Sequence, residues 1–203
     1  MVPGLLTSTY MPVLTLFLRS TIAIAFVTTA LRAQSGIDFT PAIGERTLEG
    51  IKFTELYFHE NGRKISYEHP RGWTYAADAG RIKFMPPNVR HAVGEFTQIP
   101  LPKPQNFEEA TIKSLQNAVL ASLPSDSYDA VVVSSAKSPL TINQHETYEV
   151  TVAYQLYGER YQQSILFMNL PDTQLMFRFL SRQVDFEKLH QAFRGSLCSL
   201  QWL

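Results

Sequence analysis

Ten consecutive residues, Thr147 to Leu156, alternate without a break: Tyr148, Val150, Val152, Tyr154 and Leu156 against Thr147, Glu149, Thr151, Ala153 and Gln155. Successive side chains of a strand point to opposite faces, so the run reads as a half-buried β-strand. Gly158-Glu159 turns it back onto Tyr161–Met168, and Leu170-Pro171-Asp172-Thr173 turns again into Leu175–Leu180. Strands joined by such tight turns can only be antiparallel. Ile165 and Phe167 lie on one side of the middle strand, Leu166 and Met168 on the other. A strand that is apolar on both faces needs cover on both faces.

Two amphipathic helices can supply that cover. The first is expected over 106–123, with Asn106 and Glu109 as a capping box, Ile112, Leu115, Val119 and Leu123 at helical spacing, and Pro124 as the stop. The second is expected over 185–198. Asp185 caps it, Val184 and Leu189 form a hydrophobic staple, and Phe186, Leu189, Phe193, Leu197 and Leu200 make one apolar stripe. Upstream, Ile51–Phe58 and Ile65/Tyr67 flank Asn61-Gly62, a two-residue hairpin signal. Further strands are expected at Arg81–Met85, Gly94–Ile99 and Ala130–Val133, and residues 34–49 read as an irregular lead-in. The expected fold is α+β: one antiparallel, meandering sheet flanked by helices on both faces, with the second helix ending the domain at 50–203. Trp73, Phe193 and Leu197 are expected to be buried in it.

No Asp or Glu precedes Asp38. Arg19, the apolar stretch Thr21–Val27 and the small residues Ala30 and Ala33 form the pattern of a secretory signal peptide over residues 1–33, cut after Ala30 or Ala33. The start is Met1 or Met11. The apolar stretch is shorter than the ~20 residues that cross a bilayer, so no stable membrane span is expected after cleavage. An uncleaved anchor and an organelle transit peptide are the alternative readings. Export to the periplasm or medium is the expectation.

The segment Ile65-Ser66-Tyr67-Glu68-His69-Pro70-Arg71-Gly72-Trp73 resembles the Tyr-x-x-Pro-x-Gly-Trp opening of PsbP-like domains. The order that follows (charged strand, proline-rich loop, helix, meander, aromatic-striped terminal helix) is similar to that family's order over about residues 50–203. The resemblance implies an antiparallel sheet between helices. The family spans a photosystem II extrinsic subunit of the thylakoid lumen, a nuclear-import factor that binds the GTPase Ran, and bacterial exported domains of unknown function. They share a shape and no reaction, so the resemblance supplies no catalytic set. The short leader looks more like that of the bacterial members.

The residues themselves offer little chemistry. Eighteen basic and eighteen acidic residues leave no net charge, so nothing draws the chain to nucleic acid. One cysteine, Cys198, excludes an internal disulfide and a lipid anchor near the N-terminus. It reads as an inert small hydrophobe at the edge of the second helix's stripe, with a nucleophile paired to a histidine, or pairing between chains, as the other readings. His59-Glu60 and His145-Glu146 lack the second histidine of a zinc-protease helix. Ser134-Ser135 and the Ser196/Ser199 pair lack a nucleophile-elbow context, no glycine-rich loop cradles phosphate, and Arg71 and Arg90 read as solvated surface. His59 and His69 flank the first hairpin and could approach each other across it. The expectation is therefore a non-catalytic accessory or binding domain with no cofactor and no metal, its protein or small-molecule partner unidentified. The alternatives are an enzyme with a dispersed site at His59, Tyr67 and His69, and a structural role at the envelope.

Overall fold

Four two-residue turns with positive φ at both turn residues join neighbouring strands among the described residues. The computed structural model describes residues 36–203; the expected signal peptide and its cleavage sites lie outside the described residues. Strands β1 (Ile37–Leu48), β2 (Ile51–Glu60) and β3 (Arg63–Tyr67) are joined through Glu49-Gly50 and Asn61-Gly62. Each turn has both central φ angles positive, 51° and 79° in the first, 48° and 82° in the second. That geometry matches the twist of the flanking strands, which is why Asn-Gly predicted the second turn correctly.

After β3 the chain makes β4 (Thr74–Asp78), β5 (Arg81–Met85) and β6 (Val93–Pro100), then helix α1 (Glu109–Ala121). Strands β7 (Tyr128–Ile142), β8 (His145–Leu156), β9 (Glu159–Asn169) and β10 (Thr173–Arg182) follow. Asn143-Gln144 and Tyr157-Gly158 repeat the positive-φ turn. Helix α2 (Gln183–Ser196) tightens into a 3-10 turn at Leu197–Ser199, and β11 (Gln201–Trp202) comes last.

These strands form two antiparallel sheets, where one was expected. One has the order β1-β2-β3-β11, the other β4-β5-β6-β10-β9-β8-β7. The first hairpin does not extend the large sheet. Its inward residues Leu56, Phe58, Ile65 and Tyr67 share one buried cluster with Phe84, Phe96, Leu166, Met168 and Phe177 of the large sheet and with Phe193 and Leu197. Cover that the sequence assigned to a helix comes in large part from a second sheet. A second buried cluster joins Leu115 and Val119 of α1 to Tyr148, Val150, Val152, Ile165 and Phe167.

Four further expectations are corrected. Within the expected irregular lead-in, Ile37–Leu48 is a strand: β1 buries Ile37 and Phe39, and a register shift between Asp38 and Ala42, spanning Pro41, hides its period. Neither capping box nor staple forms. Glu108 precedes α1 with no side-chain cap, its N–H donating to the Asn106 carbonyl; Asp185 lies inside the first turn of α2, and Val184 is exposed. The second helix does not end the domain, because β11 pairs with β3. Ala130–Val133 is only part of β7, an edge strand paired with β8 through three register shifts. Trp73, Phe193 and Leu197 are buried as expected. Among the described residues, no helix is long and apolar enough to cross a membrane.

Candidate functional site

The three residues expected around the first hairpin do not converge. His59 is exposed on β2 opposite Lys64. Tyr67 is fully buried, its ring against Phe84 and Phe96 and its hydroxyl 2.7 Å from Ser196 Oγ. Burial pushes the Tyr67 hydroxyl far above the ordinary phenol range. His69 follows the strand, half-buried between Tyr75 and Phe84, with Nδ1 buried and unpartnered. The hairpin register sets His59 against Lys64, which leaves His69 five positions further along, ~17 Å at strand rise. The two imidazoles cannot share a ligand. His91 and His145 also join no group: among the described residues no three of His, Cys, Asp and Glu converge.

The polar constellation that does form lies under α2. Glu149 belongs to the uninterrupted strand, on the face opposite Tyr148 and Val150. Ser164 Oγ donates to its Oε1 at 2.6 Å, His190 Nε2 stands 3.0 Å from the same oxygen, and Arg194 Nε is 3.4 Å from Oε2. Arg194 also donates to Ser138 Oγ at 2.8 Å, which ties the helix to β7. Burial raises the Glu149 pKa, but hydrogen bonds from His190 and Ser164 and the charges of His190 and Arg194 outweigh it, and the carboxyl titrates below its ordinary range. The His190 ring stacks on Phe186 at 4.8 Å. Oε1 is held by Ser164 and His190, and Oε2 faces the Arg194 charge without a hydrogen bond from its Nε; with its pKa lowered, the carboxylate is a weak base.

Two grooves flank the end of α2 and meet at Gly195 and Cys198. One, of about 420 Å³, has Leu140, His190 and Arg194 in its walls; the other, of about 580 Å³, has Phe53, His69 and Arg71. Arg71 sits over the Phe53 ring at 5.9 Å. Nothing fills the space above Gly195, where an added Cβ would meet no atom within 4 Å. Cys198, expected as a buried small hydrophobe at the edge of the stripe, is exposed. The 3-10 turn with its three residues per turn swings it away from the face that continues Phe193 and Leu197. His190 lies two helical turns before it, ~12 Å along the axis, beyond contact. His69 shares the second groove with the thiol, but burial lowers its pKa and so favours the neutral ring. A stabilised thiolate needs the charged ring instead.

Sequence reasoning missed Glu149, Ser164 and Arg194. Glu149 was one polar member of an alternating run, and no local pattern distinguishes a carboxylate beneath a helix from one in water. The histidine and arginine four residues apart on α2 were the available signal.

No family model matches the sequence, and no curated protein matches it. Solved structures similar to the chain include PsbP from the cyanobacterium Synechocystis, 12% identical with a TM-score of 0.42, covering 83% of this chain and 95% of that one. LpqN of Mycobacterium tuberculosis, involved in cell envelope biogenesis, is 12% identical with a TM-score of 0.44, over 83% of this chain and 92% of its own. PA94 of Pseudomonas aeruginosa, a protein of unknown function, is 12% identical with a TM-score of 0.45, over 78% and 96%. The chain spans 45% of the length of a similar Bacteroides thetaiotaomicron protein.

Proposed function

We propose that this chain is an exported, PsbP-like accessory domain that acts by binding and catalyses no reaction. The observation that carries the reading is the internal pairing of Glu149: its Oε1 is held by Ser164 and His190, and its Oε2 faces the Arg194 charge. The one exposed thiol among the described residues adjoins a groove whose histidine favours the neutral form. Polar groups locked onto one another hold a shape, whereas an active site needs a group free to exchange a proton or attack.

The fold belongs to this reading in its finer form as an α/β/α sandwich. Ile165 and Phe167 pack with α1, while Leu166 and Met168 join the cluster that contains Phe193 of α2. Alternate residues of one strand face opposite ways, so the helices lie over opposite faces of the large sheet. Export rests on the leader pattern of residues 1–33.

The test places a photo-crosslinking residue at Gln191, beside the grooves, and separately at Lys113 on α1, in the producing cell. A defined adduct from Gln191 and none from Lys113 is the expected result. Ester, peptide or phosphate hydrolysis above background, lost in His69→Ala or Cys198→Ser, would overturn the reading and restore an enzyme.

A further inference from the structure

Strand β7 closes one edge of the large sheet, pairing only with β8. Its first half carries an exposed apolar run, with Tyr128 48%, Val131 57%, Val132 38% and Val133 55% exposed. Consecutive exposed valines on a free edge are what soluble proteins ordinarily avoid, since the edge offers backbone groups to another strand. The pairing with β8 passes from Tyr128 to Val131 and from Val132 to Ser134, so Asp129, Ala130 and Val133 have no opposite residue on β8.

The charges of β7 are spaced symmetrically about Val133, the last residue of that run. Asp129 lies four residues before Val133 and Lys137 four after it. We propose that β7 pairs antiparallel with β7 of a second copy of this chain, about a two-fold axis passing through Val133. Val133 then faces its own counterpart, Val131 faces Ser135, and each Asp129 faces a Lys137, giving two ion pairs related by the axis. An extended segment of unrelated sequence has no reason to reproduce that charge order, whereas a second copy carries it automatically. In their own chain Asp129 accepts from Gln155 at 2.9 Å and Lys137 meets Glu146 at 2.5 Å. Both contacts are exposed, and exposed pairs are exchanged at little cost. The interface is isologous and uses up the β7 edge of both copies, so this contact closes at two. A single strand pair is a small interface, and the dimer depends on protein concentration. The proposal stands whether the chain is an accessory domain or an enzyme.

The test uses the full chain carrying Cys198→Ser, so that the exposed native thiol takes no part. Opposed residues of an antiparallel pair have Cα atoms ~4.5–5.5 Å apart, within disulfide reach. Val133→Cys therefore oxidises to a covalent dimer. Val131→Cys does not, since its counterpart lies four residues along the facing strand, ~13 Å away. Sedimentation equilibrium gives the second readout: Lys137→Glu weakens the dimer severalfold, and adding Asp129→Lys restores it. Far-UV circular dichroism and the melting temperature check that each variant is folded. Equal crosslinking of the two cysteine variants, a monomer at every concentration up to about 1 mM, or a charge-swapped double variant as weak as the single one each overturns the proposal.

Discussion

Gly94 lies directly against the ring of Phe193: a Cβ built at Gly94 would stand 2.3 Å from Cε2 and 2.5 Å from Cδ2. The glycine lets α2 settle onto β6, and the same ring stacks on Trp73, centroids 6.3 Å apart and planes 12° from parallel. Gly94→Val is therefore expected to destabilise by about 1–3 kcal/mol through overpacking. Urea unfolding reads it; a midpoint equal to that of the wild type would show that the helix can lift without loss.

Glu149→Gln should cost about 1–3 kcal/mol at neutral pH, because His190, Arg194 and Ser164 lose a charged acceptor in a mostly buried setting. The folded carboxyl titrates below its ordinary 4.5. Its contribution is thus complete above that value and is lost as pH falls through the lower, folded pKa. The variant should have a flatter acid limb of stability below about pH 4.5. Parallel acid limbs for variant and wild type would show that other carboxylates carry the acid transition.

His69 gives the opposite arithmetic for a base. Burial lowers its pKa from the ordinary 6.5, so below that value the unfolded chain takes up a proton that the folded chain refuses. Stability is undiminished above about pH 6.5 and declines as pH falls toward the folded pKa. Replacing His69 with Gln should remove that decline, which thermal melts at half-unit steps between pH 5 and 7.5 would reveal.

Export is checked most directly at the N-terminus. Protein recovered from the periplasm or medium should begin at Leu31 or Gln34, read by Edman degradation or intact mass. Full-length protein in the cytoplasm alone would defeat the signal-peptide reading.

The fold was legible wherever one segment contained its own reason. Thr147–Leu156 alternates because one face meets α1, and Asn61-Gly62 announces its turn because both residues accept positive φ. Strand β4 left no trace: Thr74–Asp78 is mostly exposed and has no apolar period to read. Strand β1 was hidden by its irregular register and β11 by its length of two residues. The site was less legible than the fold. The Glu149 cluster draws on β8, β9 and α2, and such a meeting depends on strand order, which no local pattern encodes. The hairpin histidines failed for a related reason, since closeness across a turn is set by register and not by proximity in the chain.

The small sheet has a consequence for the time course of folding. Trp202 and Gln201 complete it beside β3, and the Glu68 N–H donates to Ser199 Oγ across 131 residues of chain. Contacts that span so much sequence form late, because the loop between them must close before they reward the search. The first hairpin can form as soon as it is synthesised, but its buried face waits for almost the entire remaining chain. A ribosome-bound intermediate accordingly keeps Leu56, Phe58 and Ile65 open to solvent, and the slowest step of folding should be the docking of Gln201 and Trp202 onto β3.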